Sequence, residues 1–178
     1  MACGRRFESE KISHWFHDMA TTSAGLLLYR YREATIEVLL VHPGGPFFRG
    51  RNEGAWSIPK GECSDHEAGI QAALREFEEE LGAPPPGPPF ASLGSVRQAG
   101  GKTVYAWAAS GRFDVDSLNS NTFELEWPPR SGKFQQFPEI DRAGWFGIDE
   151  AGRMLLAAQR PLLDRLLAVV SPTEQPRA

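Results

Sequence analysis

Residues 61–83 read GECSDHEAGIQAALREFEEELGA, and this stretch decides the fold. It contains the one long segment with a strong helical period, over residues 66–81, and the proline-rich run 84–89 prevents the helix from continuing. At about 100° per residue, four apolar side chains form one stripe and three glutamates share an arc on nearly the opposite side. The stripe is Ile70, Leu74, Phe77 and Leu81, and the arc is Glu76, Glu79 and Glu80. The sequence therefore predicts a helix with a core face and a carboxylate face.

Negative charge is concentrated in and before this helix, with seven acids among residues 62–80. Each pair of like charges about 5 Å apart costs about 3 kcal/mol at an effective dielectric of about 20. Arg75 neutralises part of this repulsion, and a hard divalent cation with oxygen ligands, Mg²⁺ or Mn²⁺, would neutralise it far more fully. The competing interpretation is a solvated acidic face, which is the usual reason for a run of charge.

The spacing of the stretch is that of a known motif. Gly61 is followed after five residues by Glu67, and after seven more by Arg75-Glu76, an apolar residue, any residue, Glu79-Glu80, any residue, a glycine and an apolar residue. The sequence thus resembles the Nudix box, at every specified position, and is similar to the Nudix hydrolases. The resemblance implies an α/β fold: an α/β/α sandwich with a mixed sheet and a loop-helix-loop catalytic motif, from about residue 20 to residue 170.

The resemblance also implies roles for the box residues. Glu76, Glu79 and Glu80 would bind the divalent metal with help from the Gly61 carbonyl, and Arg75 would orient the acidic cluster. Glu67 would brace the loop or join the outer metal shell, although Ser64 and Glu67 also have the spacing of a helix capping box. Two candidates remain for the general base: Glu76, and Glu139 on a late loop. The chain departs from many boxes at Ser64 and His66, so the loop before the helix is expected to differ in shape.

Substrate contacts are predicted from the same resemblance and from charge. Residues 56–61 read WSIPKG, similar to the lead-in of Nudix enzymes that cut dinucleoside polyphosphates or diphosphoinositol polyphosphates. Lys60 would then touch a phosphate. Further candidates for substrate binding are Trp56, Lys102 and Arg130, with Arg97 and Lys133 as weaker phosphate partners and Tyr105 or Trp127 as platforms for a base. His42, at a strand end, is interpreted as structural.

The function implied is hydrolysis of a phosphoanhydride in a nucleoside diphosphate linked to another group, with Mg²⁺ or Mn²⁺ as cofactor and a small nucleotide derivative as substrate. A dinucleoside polyphosphate is the expected substrate, and ADP-ribose, diphosphoinositols or another nucleotide derivative are the alternatives. A Nudix-fold ligand-binding regulator is a second interpretation, because a fold does not fix a function. Decapping of nucleic acid is a third, and it would need a local basic patch.

Composition bounds these expectations. The 178 residues, 41% hydrophobic and 24% charged, fit one globular domain and exclude disorder of the bulk chain. We expect an N-terminal extension over residues 1–18, disordered or not, a domain over 19–171 and a tail over 172–178. The apolar runs are too short to span a membrane, and a net charge of −4 argues against general binding of nucleic acid. Arg5 and Arg6 are followed by acids and His rather than by an apolar stretch, so a secretory signal is not expected and a cytoplasmic location is predicted. Two cysteines do not support a disulfide framework, and a homodimer stays open.

Periodicity predicts the remaining elements. Residues 23–31 and 35–42 form a hairpin, 90–98 and 102–110 form a second, and a final strand lies around Trp145. In the second hairpin, Val104, Ala106 and Ala108 share one face. A short strand is expected at 56–58, an irregular connection at 111–138, a helix at about 149–158, and a last helix that starts at Pro161.

Overall fold

The computed structural model of the chain describes residues 22–64 and 69–170. Eight strands and three helices follow one another in these residues. The strands are β1 (Thr22–Arg32), β2 (Thr35–Pro43), β3 (Lys60–Glu62), β4 (Ala91–Arg97), β5 (Thr103–Ser110), β6 (Thr122–Glu126), β7 (Phe134–Pro138) and β8 (Ile140–Gly147). The helices are α1 (Gly69–Leu81), α2 (Ile148–Met154) and α3 (Pro161–Val170), with single 3₁₀ turns at Val115–Ser117 and Ala157–Gln159. The predicted terminal extension and tail lie outside the described residues, as do residues 65–68 at the predicted start of α1.

A six-stranded mixed sheet forms the centre of the domain, in the order β4-β5-β1-β2-β8, with β3 paired to β1. Strand β1 runs parallel to β5 and antiparallel to β2 and β3. The two strands β2 and β3 share one edge of β1: β2 pairs with its carboxyl-terminal half and β3 with Ser23–Gly25. This arrangement confirms both predicted hairpins and brings the start of the 61–83 stretch against the central strand.

Alternation along β1 builds a separate core on each face of the sheet. Leu26 and Leu28 point to the face that α1 covers, and Leu27 points to the face that α2 and α3 cover; all three are fully buried. Val104, Ala106 and Ala108 share the α3 side, as predicted. With helices on both faces of a mixed sheet, the fold is the expected α/β/α sandwich.

Three local predictions are wrong. Residues 56–58 form only isolated bridges, Ser57 to Val41 and Trp56 to Leu155, and the strand lies later, at β3. The connection 111–138 is not irregular, because β6 and β7 pair in register from Thr122–Pro138 to Glu126–Phe134 as a separate two-stranded sheet. The helix expected at 149–158 ends at Met154, where the chain turns through Leu155 into the 3₁₀ turn.

The outer strand β4 is held by α3. The Arg165 guanidinium Nη1 donates to the backbone carbonyl oxygens of Leu93 and Ser95, at 2.8 and 2.9 Å. The pairing of β4 with β5 also shifts register between Ser92 and Gly94, which forms a bulge in this strand. Among the described helices, none is long and apolar enough to cross a membrane.

Candidate metal and substrate site

The carboxylate edge of α1 is docked on β3, the first strand of the 61–83 stretch. The Lys60 backbone N–H donates to Glu80 Oε2 at 3.0 Å. At Gly61, a Cβ would overlap the carboxylate of Glu76, so that only glycine leaves room for this side chain. The backbone of β3 therefore forms a cradle for the acids of α1.

This docking changes the predicted geometry of the helix. The buried residues of α1 are Ala72, Ala73, Phe77 and Leu81, whereas Ile70 and Leu74 are only partly buried. The core face is thus rotated toward the acids, and the Glu76 side chain is only 15% exposed, against 43% for Glu79. Glu78, on the other side of the helix, is exposed. The acidic edge is not a solvated face, because two of its three carboxylates turn toward the protein.

Arg75 joins the acids to the loop before them. Its Nη1 donates to Glu76 Oε1 at 2.8 Å and to Glu79 Oε2 at 3.1 Å, and its Nη2 donates to the Glu62 carbonyl at 3.0 Å. One guanidinium thus ties two carboxylates to the β3 backbone.

Burial alters the charges at the cradle. It raises the pKa of Glu80 from 4.5 to about 8, against the opposing effect of the Lys60 charge and backbone N–H, and the negative charges of Glu76 and Glu139 raise it further. Burial also lowers the pKa of Lys60, partly offset by Glu80, while Lys102 adds to the lowering. Removal from water is the largest cause of both pKa shifts. The acids of the site therefore need additional positive charge nearby if all of them are to be ionised at once.

The residues present fit a divalent cation. Carboxylate and backbone carbonyl oxygens are the ligands that Mg²⁺ and Mn²⁺ prefer, and Glu76, Glu79, Glu80 and the Gly61 carbonyl supply them. Within residues 22–64 and 69–170, no three acidic, His or Cys side chains already converge on one point. A shared ion would have to draw these carboxylates together. Glu67, the remaining box acid, lies outside the described residues.

Glu139 is brought to this edge by backbone hydrogen bonds that run through Asn121. The Glu139 N–H donates to the Asn121 carbonyl at 2.8 Å, and the Asn121 N–H donates to the Glu79 carbonyl at 3.3 Å. Its charge also acts on the Glu80 carboxyl. The Glu139 backbone is therefore connected to the backbone of α1, and its exposed side chain lies 59 positions after Glu80 in the chain.

Tyr105 and Lys102 lie on the β5 side of the cradle. Ala24 pairs with both Gly61 and Tyr105, so these three residues form one row across β3, β1 and β5. Neighbouring strands are about 4.8 Å apart, which places the Tyr105 Cα about 10 Å from the cradle glycine. Its phenol is 45% exposed on the α1 side and lines a cavity of about 340 Å³ with Thr22, Cys63, Gly69 and Trp107. Lys102 Nζ is 3.3 Å from Glu62 Oε1.

Two predicted substrate residues are not brought to the acids. Trp56 is buried in the core on the α3 side of the sheet, where its indole packs edge-on against His42 and Phe146 and donates to Asn52 Oδ1. Arg130 lies at the tip of the β6–β7 hairpin, with a left-handed φ of 62°.

His42 is structural, as predicted. It is fully buried, its Nδ1 lies 2.7 Å from Asp141 Oδ1, and its Nε2 donates to the Arg51 carbonyl at 2.9 Å.

Sequence reasoning missed the residues that join the late loop to the helix. Asn119 and Asn121 donate their backbone N–H groups to the carbonyls of Leu81 and Glu79. Such main-chain contacts depend on where two distant segments meet, so no residue pattern signals them. The glycine after the helix, Gly82, is the one local sign, because a Cβ there would overlap the Asn119 carbonyl.

An α/β/α sandwich with three glutamates along the edge of α1, two of them docked on β3, is the arrangement of a class of enzyme, the pyrophosphohydrolases that act on acid anhydrides. The chain belongs to the NUDIX domain family, whose model matches residues 19–168.

Solved structures share this fold. A C. elegans Ap4A hydrolase in a binary complex has a TM-score of 0.58 and 24% identity over 86% of this chain and 99% of its own. The NUDIX domain of Shewanella oneidensis NrtR, complexed with ADP ribose, has a TM-score of 0.57 and 20% identity over 85% and 88%. RenU, a Nudix hydrolase from M. smegmatis, has a TM-score of 0.54 and 21% identity over 88% and 91%. At these identities the likeness shows the fold alone. No curated protein matches the sequence significantly.

Proposed function

We propose that this chain is a metal-dependent hydrolase that cleaves a phosphoanhydride bond in a nucleoside diphosphate linked to another group, with a dinucleoside polyphosphate as the substrate. The observation that carries the proposal is the docking of Glu76 in the Gly61 cradle, with Glu79 and Glu80 on the same helix edge. Carboxylates held along one helix edge and partly out of water are stabilised by a cation, and the family supplies a reaction that needs one.

Glu76, Glu79, Glu80 and the Gly61 carbonyl would hold the ion. When bound, a divalent metal neutralises phosphate charge and acidifies a water molecule. Arg75 keeps two of the carboxylates in place through the hydrogen bonds described above. The chain thus provides a fixed acidic edge against which a polyphosphate is positioned.

We assign the general base to Glu139 rather than Glu76. The Glu76 carboxylate is already engaged by Arg75 and enclosed by the cradle. The Glu139 side chain is exposed, and within the described residues it has no hydrogen bond or ion pair. A carboxylate that reaches solvent beside the acids can accept a proton from an attacking water.

Lys60 and Lys102 are proposed to contact the phosphates, and Tyr105 to stack on a base. The charges of Glu80 and Glu76 act on the Lys60 ammonium, which supports a role for Lys60 near the proposed ion. Within the described residues, Lys102 has one ion pair, to the exposed Glu62, and a phosphate can replace this partner. Trp56 is withdrawn from this set because its indole is in the core. Arg130 is retained as a contact to a more distant part of the substrate.

The test is release of mononucleotides from a panel of dinucleoside polyphosphates, ADP-ribose, other sugar nucleotides and diphosphoinositols with Mg²⁺, comparing the wild type with Glu79→Gln. Because Glu79 would be a metal ligand, its replacement should lower kcat by at least about 100-fold. Glu78→Gln is the matched control: it removes one charge from the same helix on its exposed side and should leave kcat unchanged.

Two results would contradict the proposal. Equal losses in the two variants would mean that only the net charge of the helix matters. No turnover of any panel member by the wild type, with nucleotide affinity unchanged in Glu79→Gln, would favour a ligand-binding regulator.

A further inference from the structure

A second aromatic surface lies where the loop after β2 meets the β6–β7 hairpin. Phe47, in the loop after β2, is 61% exposed and meets Trp127 edge to face, with ring centroids 5.4 Å apart and an interplanar angle of 82°. An exposed phenylalanine supported by a tryptophan offers a flat apolar face to solvent, and such a face is suited to stacking on a ring. We call this pair the aromatic wall.

The wall is built by two segments that fit together closely. Phe123 and Trp127 lie on the same face of the β6–β7 hairpin, because side chains along a strand alternate and these two are four positions apart. The loop after β2 packs against this face. A Cβ at Gly45 would lie 3.1 Å from the Phe123 ring, and a Cβ at Gly44 would overlap the Pro138 carbonyl. Glycine at both positions therefore allows the loop to approach the hairpin and present Phe47.

Backbone hydrogen bonds tie the wall to the proposed base. The Gly44 N–H donates to the Glu139 carbonyl at 2.8 Å. Phe47 follows three residues later, so its Cα lies at most about 11 Å from that of Gly44. A ribose with a short run of phosphates can span the distance between the Phe47 and Glu139 backbones.

Positive charge surrounds the wall. Arg49, Arg130 and Lys133 lie on its two segments, and none of the three side chains has an ion pair within residues 22–64 and 69–170. Lys133 lies opposite Trp127 in the hairpin, where the Trp127 N–H donates to its carbonyl. Arg130 is held at the hairpin tip in a left-handed conformation, which is unfavourable for an L-residue. Cations beside a flat apolar face fit a base whose ribose carries phosphate.

We propose that the aromatic wall binds the second base of the substrate, the one at the far end of the polyphosphate from Tyr105. This inference rests on the proposed function and makes it more specific. Tyr105 is joined to the Gly61 cradle through the row across β5, β1 and β3, and the wall is joined to Glu139 through the Gly44 hydrogen bond. Two separate aromatic surfaces are thus connected to the acidic region, as a substrate with two bases joined by phosphates requires.

The experiment compares two substrates that differ only in the second nucleoside: diadenosine tetraphosphate and adenosine 5′-tetraphosphate. Loss of one stacked base weakens binding by about tenfold. Phe47→Ala should therefore raise KM for diadenosine tetraphosphate by about tenfold and leave KM for adenosine tetraphosphate unchanged. Phe47→Tyr, which keeps a ring, should restore the wild-type value.

Phe134→Ala is the matched control. Phe134 is 64% exposed, but it pairs with Glu126 and so lies on the hairpin face opposite Trp127. It should change KM for neither substrate. An equal rise in Phe134→Ala and Phe47→Ala would overturn the proposal, as would a rise in Phe47→Ala for both substrates.

Failure of the inference and failure of the proposed function give different results. If the wild type hydrolyses diadenosine tetraphosphate and Phe47→Ala does so with the same KM, the wall is not a base site and the function stands. If the wild type hydrolyses no member of the panel, calorimetry can still test the wall. It compares the affinity of diadenosine tetraphosphate for Glu79→Gln with its affinity for the double variant that also carries Phe47→Ala. A tenfold weakening there supports the base site, and equal binding overturns it.

The competing occupant is a second copy of the chain. Sedimentation of the wild type and of Phe47→Ala distinguishes the two, because a dimer that dissociates on removal of the ring would assign the wall to self-association and overturn the proposal.

Discussion

Among single residues, Glu80 is the one whose environment differs most from that of an ordinary surface acid. It accepts a hydrogen bond from the Lys60 backbone and lies among groups that exclude water, which raises its pKa to about 8. In a protein without bound metal, much of this carboxyl is therefore protonated near neutral pH. A cation that binds here must displace that proton, so metal binding and proton release are coupled.

The metal-free protein should consequently become less stable as the pH rises. Because the pKa of Glu80 is higher in the folded protein than its ordinary 4.5, its favourable contribution is complete below about pH 4.5 and is lost as the pH approaches about 8. Glu80→Gln stays neutral throughout. In urea titrations with a chelator present, we expect the midpoint of the wild type to fall relative to that of Glu80→Gln between about pH 5 and about pH 8.5.

Glu78→Gln, on the exposed side of the same helix, should follow the wild-type profile. Parallel profiles for the wild type and Glu80→Gln would show that the Glu80 carboxyl is ionised in the folded protein at all these pH values.

The residues of the box could be found from the sequence because a fixed spacing specifies them. The direction in which their side chains point could not be predicted in the same way. Helical periodicity separates an apolar stripe from an acidic arc, but it does not say what lies beside the helix, and it places Glu76 on the far side from the core. The missing information is the β3 backbone, where Gly61 leaves space for that carboxylate.

Among the elements, the hairpins β1–β2 and β4–β5 and the helices α1 and α3 could be predicted because each carries its own period or start signal. The β6–β7 hairpin was missed although a signal exists. Phe123 and Leu125 alternate with Thr122, Glu124 and Glu126 over β6. The prolines at 128 and 129 and the mostly polar partner strand obscured this pattern. The aromatic wall could not be predicted, since its two rings come from segments 80 residues apart.

The end of α1 shows how one element positions another. Gly82 has a φ of +70°, and the Asn119 carbonyl occupies the place of a Cβ. Gly82→Ala should lower the free energy of unfolding by about 2–5 kcal/mol, the sum of the left-handed penalty and the overlap. It should also lower kcat, because the same loop carries Asn121 and, through it, Glu139. Urea denaturation and turnover of the hydrolysed substrate measure the two effects.

Gly54→Ala is the control for backbone conformation alone. Gly54 has the same φ of +70° but no atom within 4 Å of the added Cβ, so its loss should be about 1–2 kcal/mol. If both variants lose the same stability, the contact between α1 and the 119–121 loop contributes nothing.

For the whole molecule, the α/β/α layering could be inferred from the box, whereas the parallel pairing of β1 with β5 could not. That pairing joins residues about 80 positions apart and leaves no local pattern. It nevertheless places Tyr105 in line with the cradle, so the long-range topology of the sheet sets the dimensions of the proposed site.

Both cores should contribute to the stability of the protein, whereas only the core beneath α1 should affect its activity. Leu26→Ala and Leu27→Ala remove equally buried side chains from neighbouring positions, the first beneath α1 and the second beneath α2 and α3. Each should lower the free energy of unfolding by about 3–5 kcal/mol in a single cooperative transition. At a temperature where both variants remain folded, only Leu26→Ala should lower kcat, because it loosens the helix that carries the acids. An equal effect of Leu27→Ala on kcat would show that the site depends on both layers.

The Arg165 contacts on β4 limit how copies of this chain can associate. Unpaired carbonyls along the border of a sheet are a template on which another strand can add, and proteins often block them with a charged side chain or a bulge. Here a guanidinium occupies two of these acceptors and a bulge interrupts the strand. The sheet is therefore not expected to continue into a second molecule at this border, and a homodimer would have to form elsewhere on the surface.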